Sequence, residues 1–209
     1  MLIPRPAGRN GIRAKSARWP NGVIPFEIKG NFNAHEMDLI ERALNDYKTK
    51  TCIKFVPRMG EPDYISIRSD GSGCWSSVGR IGGEQVVNLQ SPGCTTKKGT
   101  VIHELMHAVG FTHEQNRAER DNYVSIRWSN IRSGVESNFE KVEASEYYGF
   151  GVPYDYRSVM HYSANAFSVN GQPTIVAKNS QDNSKMGQRE GFSSGDIRKI
   201  RQMYNCRNL

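Results

Sequence analysis

The segment HELMHAVGFTHE, His103 to Glu114, contains three of the chain's five histidines and two carboxylates among apolar side chains typical of a core. Residues 100–110, TVIHELMHAVG, contain no proline and predict a helix that ends at Gly110. On such a helix His103 and His107 lie about 40° apart on one face, one turn from each other. Two imidazoles in this arrangement can bind one metal ion, and Glu104, about 60° further round, can reach a water molecule without becoming a ligand.

His113 can join the two helical histidines only if the helix stops. On a continuous helix it would lie about 120° round from His107 and about 9 Å along the axis. Gly110 allows the chain to reverse, because a residue without a Cβ adopts left-handed backbone angles at little cost. Three neutral imidazoles and an open position are typical of catalytic zinc, so the sequence predicts one Zn²⁺ ion bound by His103, His107 and His113.

A second motif supports the zinc site. The stretch SVMHY places Met160 in an irregular segment downstream of the extended pattern H-E-x-x-H-x-x-G-x-x-H, a combination that is the metzincin signature. The alternative, ordinary histidines on an amphipathic helix, fits a bare H-E-x-x-H much better than it fits both patterns together.

Composition restricts the class of protein. A length of 209 residues, 37% apolar and 23% charged, fits one globular domain, or one domain with two lobes. No apolar run approaches the roughly 18 to 20 residues that span a membrane, and we expect no membrane span.

The opening MLIPRPAGR lacks the apolar core of a secretory signal, so a signal has been removed or was never present. The net charge of +7 comes without any nucleic-acid-binding motif, and we expect a basic surface and no nucleic acid partner.

The four cysteines, Cys52, Cys74, Cys94 and Cys206, form no C-x-x-C pair and fit two disulfides. Three pairings are possible. Residues 76–89, SSVGRIGGEQVVNL, predict two strands that reverse at Gly82-Gly83 and bring Cys74 near Cys94. That leaves Cys52 with Cys206. Two disulfides indicate an oxidising compartment, whereas the alternative of four buried free thiols would indicate the cytosol.

The first half of the chain alternates a helix with short strands and predicts a mixed sheet with helices packed on it. Strands are predicted in GVIPFEIKG, CIKFVPR, YISIRS and QVVNL. Asn33 is placed to cap a helix whose apolar face comprises Met37, Ile40, Leu44 and Tyr47. The second half is less regular. It ends in a capped helix, SSGDIRKIRQMYNC, with an apolar face of Ile197, Ile200 and Met203 or Tyr204.

Four stretches resemble the astacin family of zinc endopeptidases: WPNGVIPF, GCWSSVGRIGGEQVVNLQSPGC, HELMHAVGFTHEQNRAERDNYV and SVMHY. The resemblance covers about Trp19 to Cys206. It implies an α+β, two-lobed metzincin zincin fold and the same two disulfides. The implied N-terminal lobe, about residues 10–110, has a mixed twisted sheet and the zinc helix. The implied C-terminal lobe, about residues 111–209, is mostly irregular with one long C-terminal helix.

The resemblance also implies roles for single residues. Glu104 matches the general base that acts on a zinc-activated water, and the three histidines match the zinc ligands. Met160 matches the methionine of the turn beneath the metal. Tyr162 matches an additional zinc ligand whose phenol swings away to stabilise the tetrahedral intermediate. His161, its neighbour, we interpret as structural.

Glu114 matches the acid that in mature astacins is linked through water to the buried N-terminal amine. Counting back from Trp19 places that terminus at Asn10. The Arg9–Asn10 bond then resembles an activation site for a trypsin-like protease, and residues 1–9 a propeptide remnant or tail. The chain departs from the family pattern because no F-x-G-D inhibitory motif precedes Asn10.

The resemblance places the substrate along an upper rim strand. Main-chain hydrogen bonds to such a strand favour an extended peptide and do not depend on particular side chains. The candidate rim residues are Cys74, Trp75, Ser76 and Ser77, together with Lys185 and Arg189 near the pocket for the residue after the cleaved bond.

The sequence therefore predicts a secreted, monomeric zinc metalloendopeptidase that hydrolyses internal bonds of proteins or peptides. A catalytically silent binding module on the same fold is the first alternative, and the presence of Glu104 disfavours it because zinc binding does not need that residue. A basic matrix- or nucleic-acid-binding protein with a structural zinc is the second alternative. The biological role stays open among digestion, hatching, matrix processing and reproduction.

Overall fold

The first half of the chain forms a five-stranded sheet, in a computed structural model that describes residues 11–143 and 145–206. The strands follow the order β2-β1-β3-β5-β4. Four of them are parallel, and β4 alone runs antiparallel to its neighbour β5 at one edge. This is the mixed sheet that the sequence predicts. Its strands are β1 Val23–Ile28, β2 Lys54–Pro57, β3 Tyr64–Arg68, β4 Cys74–Ser76 and β5 Glu84–Leu89.

The first helix, α1 (Ala34–Lys50), begins at the predicted cap. The Asn33 side chain accepts a hydrogen bond from the Glu36 N–H at 3.0 Å, and the Glu36 carboxylate accepts one from the Asn33 N–H at 2.9 Å. This reciprocal capping box satisfies two amides that the helix itself leaves unpaired.

The buried apolar face of α1 differs in part from the face that the sequence predicts. Ile40 and Tyr47 are fully buried as expected, whereas Met37 and Leu44 are only half-buried. Leu39 and Ala43 complete the face instead. The Tyr47 hydroxyl donates a hydrogen bond to the Ile102 carbonyl at 2.8 Å, which attaches α1 to the next helix.

The second helix, α2 (Lys98–Val109), carries the histidine motif through the core. Every side chain from Val101 to Val109 is buried. The helix ends at Gly110, whose φ of +125° belongs to the region that favours glycine, and whose N–H donates to the carbonyls of Met106 and His107. The predicted helix and its glycine stop are confirmed.

The second half contains little regular structure apart from its final helix. Two short strands, β6 (Val124–Ile126) and β7 (Ile175–Ala177), form an antiparallel pair that the sequence did not indicate. The final helix, α3 (Ser194–Met203), begins at a capping box formed by Ser193 and Asp196. Its buried apolar residues are Ile200 and Met203, while Ile197 and Tyr204 are half-buried.

Among the residues that the structure describes, buried apolar side chains form two clusters. The larger one combines the sheet, α1 and α2 with Val159, Met160, Ile200 and Met203 from the second half. The smaller one includes Tyr162 and draws only on residues beyond β5, from Val124 to Met186. A division into lobes near Gly110 stays a prediction, and α3 packs with the core of the first half.

Both predicted disulfides, Cys52–Cys206 and Cys74–Cys94, are present. The strands β4 and β5 pair antiparallel with Cys74 opposite Leu89, as the hairpin argument requires. The chain reverses over the loop 77–83, within which Gly82 and Gly83 have positive φ values of 87° and 67°.

The N-terminal segment enters the interior beside the end of α2. Gly11 is buried, and a Cβ on it would come within 2.5 Å of the Phe150 ring. The Ile12 N–H donates to the Gly110 carbonyl at 2.9 Å. The predicted cleavage site at Arg9–Asn10 lies outside the described residues. Among the residues described, no helix has both the length and the apolar character needed to cross a membrane.

Replacement of Gly110 tests how strongly the end of α2 depends on glycine. A Cβ there would lie 2.8 Å from the Met203 side chain and 3.1 Å from Ile12. We expect Gly110→Ala to lower the free energy of unfolding by about 2 to 4 kcal/mol, because backbone strain adds to overpacking. Gly60→Ala is a matched control: Gly60 has a similar φ of +112° with nothing within 4 Å of the added Cβ, and we expect a smaller loss of about 1 to 2 kcal/mol from backbone strain alone. Urea unfolding of both variants gives the difference, and equal losses would contradict the crowding argument.

Candidate active site

Three buried histidines meet where α2 ends. His103 and His107 project from the helix, and His113 follows the reversal at Gly110. One ring nitrogen from each of the three lies within 4.8 Å of the others. Ring centroids are 4.8 Å apart for His103 and His107, and 4.7 Å for His107 and His113. The structure therefore brings the three predicted ligands together.

Backbone carbonyls fix the orientation of the two helical imidazoles. His103 Nδ1 lies 2.7 Å from the Val159 carbonyl, and His107 Nδ1 lies 2.8 Å from the Phe111 carbonyl. A carbonyl only accepts, so each Nδ1 carries the proton and each Nε2 keeps its lone pair. Metal-binding histidines commonly donate their second N–H in this way.

The polar atoms around the cluster fit a metal ion. His107 Nε2, His113 Nε2, Glu104 Oε2 and the Tyr162 hydroxyl are all buried without a hydrogen-bond partner in residues 11–143 and 145–206. Buried polar atoms are rarely left unpaired in native proteins. A zinc ion held by the three imidazoles would supply the missing partner, because imidazole nitrogen is among its preferred ligands.

The protonation states of the three histidines and of Glu104 also fit a metal site. Burial lowers the pKa of His107 to about 4, and it lowers the pKa of His103 and of His113 well below the ordinary value. The imidazoles are therefore neutral at pH 7, as metal ligands must be. Burial raises the pKa of Glu104 to about 8, and the positive charge of Arg189 acts in the opposite direction. A cation beside Glu104 would act in the same direction as Arg189.

The turn Ser158–His161, which contains Met160, is held by the last helix. The Ser158 hydroxyl donates to Asp196 Oδ1 at 2.5 Å, and the Val159 N–H donates to Asp196 Oδ2 at 2.8 Å. Val159 in turn offers its carbonyl to His103. Met160 is completely buried in the larger core, directly after these contacts. Asp196 thus supports a candidate zinc ligand through the backbone of Val159.

Glu114 lies beside His113 and is completely buried. Its carboxylate pairs with the ammonium of Lys199, which is equally buried, and with Arg117 at 2.9 Å. Burial alone would raise the pKa of Glu114, but the charges of Lys199 and Arg117 outweigh it and hold that pKa below the usual value. The carboxylate also accepts the Asp155 N–H at 2.9 Å. A link from Glu114 to an amine at Asn10 stays a prediction, because Asn10 lies outside the described residues.

Tyr162 lies against the histidine cluster, with its ring centroid 4.3 Å from that of His113. The Gln115 side chain accepts the Tyr162 N–H at 3.0 Å, and His161 Nδ1 donates to the Tyr162 carbonyl at 2.7 Å. The other nitrogen of His161 accepts a hydrogen bond from the Tyr154 hydroxyl at 2.7 Å. Both His161 nitrogens are therefore used within the protein, in agreement with a structural role.

The candidate rim residues lie in three different places in the structure. Cys74, Trp75 and Ser76 form β4, and Ser77 follows it; the nearby Gly79 N–H donates to the His107 carbonyl at 2.9 Å. Arg189 is largely buried and interacts electrostatically with Glu104 and Tyr162. Lys185 lies elsewhere, in an ion pair with Asp182 on the wall of a cavity of about 730 Å³ between the end of α1 and the start of α3.

Comparison with known proteins identifies the family. The model of the astacin family of peptidases matches residues 11–205. The chain belongs to the astacin family. Two similar relatives are the zinc metalloproteinases nas-13 and nas-4 of Caenorhabditis elegans, 48% identical over 199 residues and 46% identical over 201 residues. Each alignment covers 95% of this chain, but only 43% and 62% of the respective relative.

A solved astacin-family structure has the same fold. High choriolytic enzyme 1, a hatching enzyme zinc-protease of the medaka Oryzias latipes, superimposes with a TM-score of 0.86 at 40% identity. The match covers 95% of this chain and all of that one. The α+β metzincin fold is therefore confirmed. The chain spans about half the length of the curated relatives that it matches.

The structure adds supporting residues that the sequence did not indicate. Asp196 lies in the predicted final helix but was not singled out, and Gln115 and Lys199 carried no signal of their own. Their partners lie 37, 47 and 85 residues away along the chain, respectively. Contacts over such separations leave no local pattern of spacing or periodicity.

Replacement of Asp196 tests the support of His103. We expect Asp196→Asn to weaken zinc affinity about 10- to 100-fold, because asparagine has one acceptor oxygen where Asp196 uses two, so either the Ser158 hydroxyl or the Val159 N–H loses its acceptor. Glu36→Gln is a matched control, since Glu36 is the buried capping-box residue of α1 and accepts hydrogen bonds from Ser91 and Thr95 instead. Competition with a chromophoric chelator measures affinity; an unchanged value in Asp196→Asn, or an equal loss in both variants, would contradict the proposed support.

Proposed function

We propose that this chain is the catalytic part of a secreted zinc endopeptidase that hydrolyses internal peptide bonds of proteins. The observation that carries the proposal is the buried cluster of His103, His107 and His113, together with the Oε2 atom of Glu104, which is buried without a hydrogen-bond partner among the described residues. Membership of the astacin family supports the same activity.

His103, His107 and His113 would hold a single zinc ion. When bound, zinc supplies Lewis acidity, which polarises the carbonyl of the cleaved bond and lowers the pKa of a water molecule. The three side chains come from a rigid helix and from the turn that ends it, so their positions are fixed before any substrate arrives.

Glu104 would act as the general base at its Oε2 atom. It takes a proton from the attacking water while the water oxygen bonds to the carbonyl carbon. The protonated carboxyl then gives that proton to the departing nitrogen as the C–N bond breaks. Its burial suits the second step, because a low-dielectric environment favours the neutral acid.

Tyr162 would stabilise the negative charge that develops on the carbonyl oxygen. Burial raises the pKa of its hydroxyl, so the group remains a proton-bearing donor at neutral pH. A donor placed before the reaction begins avoids reorganisation at the moment when charge appears.

The strand β4 would bind the substrate backbone. It forms the edge of the sheet and, among the described strands, pairs only with β5. An extended peptide can add to such an edge by main-chain hydrogen bonds. Arg189 would contribute a positive charge beside the site and favour substrates with an acidic residue near the cleaved bond.

An extracellular location fits the two disulfides, Cys52–Cys206 and Cys74–Cys94. Disulfides persist in oxidising compartments and are rare in the cytosol.

A chelation experiment tests the activity as a whole. We expect purified protein to cleave casein, to lose that activity with a zinc chelator and to regain it when zinc is returned. A silent binding module would bind zinc without cleavage in any condition. Salt-sensitive binding to polyanions without turnover would indicate the basic binding protein instead.

Substitution of Glu104 separates metal binding from hydrolysis. Glu104→Gln should retain one zinc per chain, because the glutamate is not a ligand, and should lower kcat by at least about 10²-fold through loss of the general base. His107→Ala is the companion variant and should lose the metal as well. Zinc content by atomic absorption and cleavage of a quenched peptide give both quantities. Near-normal turnover in Glu104→Gln would contradict the proposed role of Glu104 as the general base.

Substitution of Tyr162 tests the stabilising donor. Tyr162→Phe keeps the ring and its packing, and we expect zinc content to stay unchanged. Loss of one such donor typically costs about 10²- to 10³-fold in kcat. The loss should appear equally in kcat/KM, with KM unchanged, because the interaction forms only in the transition state. A variant that only raises KM would assign Tyr162 to substrate binding instead.

A further inference from the structure

The phenol of Tyr162 is fixed in a different way from the neighbouring imidazoles. His103 and His107 are oriented by hydrogen bonds to backbone carbonyls, whereas the Tyr162 hydroxyl has no hydrogen-bond partner in the part of the chain that the structure describes. The protein therefore positions the Tyr162 ring by packing other side chains against it. The side chains that touch this ring decide where its hydroxyl lies relative to His113.

Two phenylalanines form an aromatic triangle with Tyr162. Ring centroids lie 5.5 Å apart for Tyr162 and Phe167, 5.8 Å for Tyr162 and Phe139, and 6.0 Å for Phe139 and Phe167. Rings at these separations attract each other in specific orientations. Phe139 is completely buried and forms the inner wall, while Phe167 is half-buried and closes the outer side.

Phe167 occupies an unfavourable backbone conformation. Its φ of +55° lies in the left-handed region, which a bulky residue rarely adopts and which asparagine or glycine tolerates. The Arg132 N–H donates to the Phe167 carbonyl at 2.9 Å. A hydrogen bond closes the turn Asn165–Ser168, which contains Phe167, and another closes the preceding turn Ser163–Ala166. Because the ring of this strained residue contacts the ring of a candidate catalytic group, the conformation leads to the hypothesis that the Phe167 ring acts there.

We propose that Phe167 is a positioning residue for Tyr162. Its ring, fixed by the left-handed turn and supported by Phe139, sets the place of the Tyr162 hydroxyl beside the histidine cluster. The proposal rests on the proposed role of Tyr162 as a donor to the developing negative charge.

Two substitutions of Phe167 separate the ring from the backbone. Phe167→Asn removes the ring but suits the left-handed conformation, so the turn is expected to survive. We expect it to lower kcat about 10-fold, less than the full loss of the donor, with KM and zinc content unchanged. Phe167→Tyr retains a ring of the same shape, and its kcat should stay within about twofold of the wild-type value.

A double-mutant cycle distinguishes positioning from general structural damage. In the Tyr162→Phe background the hydroxyl is already absent, so Phe167→Asn should cause no further fall in kcat. Phe150→Asn is the matched control: Phe150 has φ +51° and packs against Phe111 and Tyr148, away from Tyr162. Phe150→Asn should change kcat by the same factor in the wild-type and Tyr162→Phe backgrounds.

Crystal structures of wild type and Phe167→Asn give a readout that does not depend on activity. We expect the Tyr162 ring to move from its place 4.3 Å from His113, or to occupy several conformers, while the histidines keep their positions. An unmoved Tyr162 ring would overturn the proposal, as would an equal fall in kcat in both backgrounds. If Tyr162→Phe alone retains wild-type kcat, the donor role of Tyr162 fails, and a displaced ring in Phe167→Asn would still support positioning.

Discussion

The site depends on one energetic constraint: several polar side-chain atoms are buried close together and have few hydrogen-bond partners in the protein. The lone pairs of His107 and His113 and an oxygen of Glu104 lie in the interior, and residues 11–143 and 145–206 offer them no hydrogen bond. Each such group costs roughly 1 to 3 kcal/mol when it is buried unpaired. A bound cation offsets this cost for several groups at once, so metal binding and stability of the fold are coupled.

The last helix, α3, is the element that holds the site in shape. Asp196 and Lys199, one turn apart and both completely buried, bind two different segments of the site. Asp196 holds the turn that contains Met160, and Lys199 neutralises Glu114 next to the third histidine. The disulfide at Cys206 attaches the end of this helix to the start of β2. Segments distant in sequence therefore share one rigid support.

The sequence predicted those parts of the structure that arise from local patterns. Helical spacing and a glycine stop were enough to bring His113 to the two helical histidines. Asn33 marked the start of α1, and the final helix was recognisable as a capped helix. The partner of Lys199 and the support given by Asp196 could not be predicted, because a buried charge pair has no periodicity and its members lie far apart in the chain. The left-handed angle at Phe167 was equally hidden, since phenylalanine carries no preference for that conformation.

The proposed binding of substrate by the antiparallel edge strand β4 has a consequence for which bonds of a folded protein would be cut. A peptide that pairs with this edge must be fully extended over several residues, whereas most surface segments of a native protein are helical, turned or already paired. Such a segment has to open locally before it can bind, and the free energy of that opening adds to the barrier for cleavage. The order in which sites are cut would then follow the local stability of the substrate as well as the residues that flank each bond.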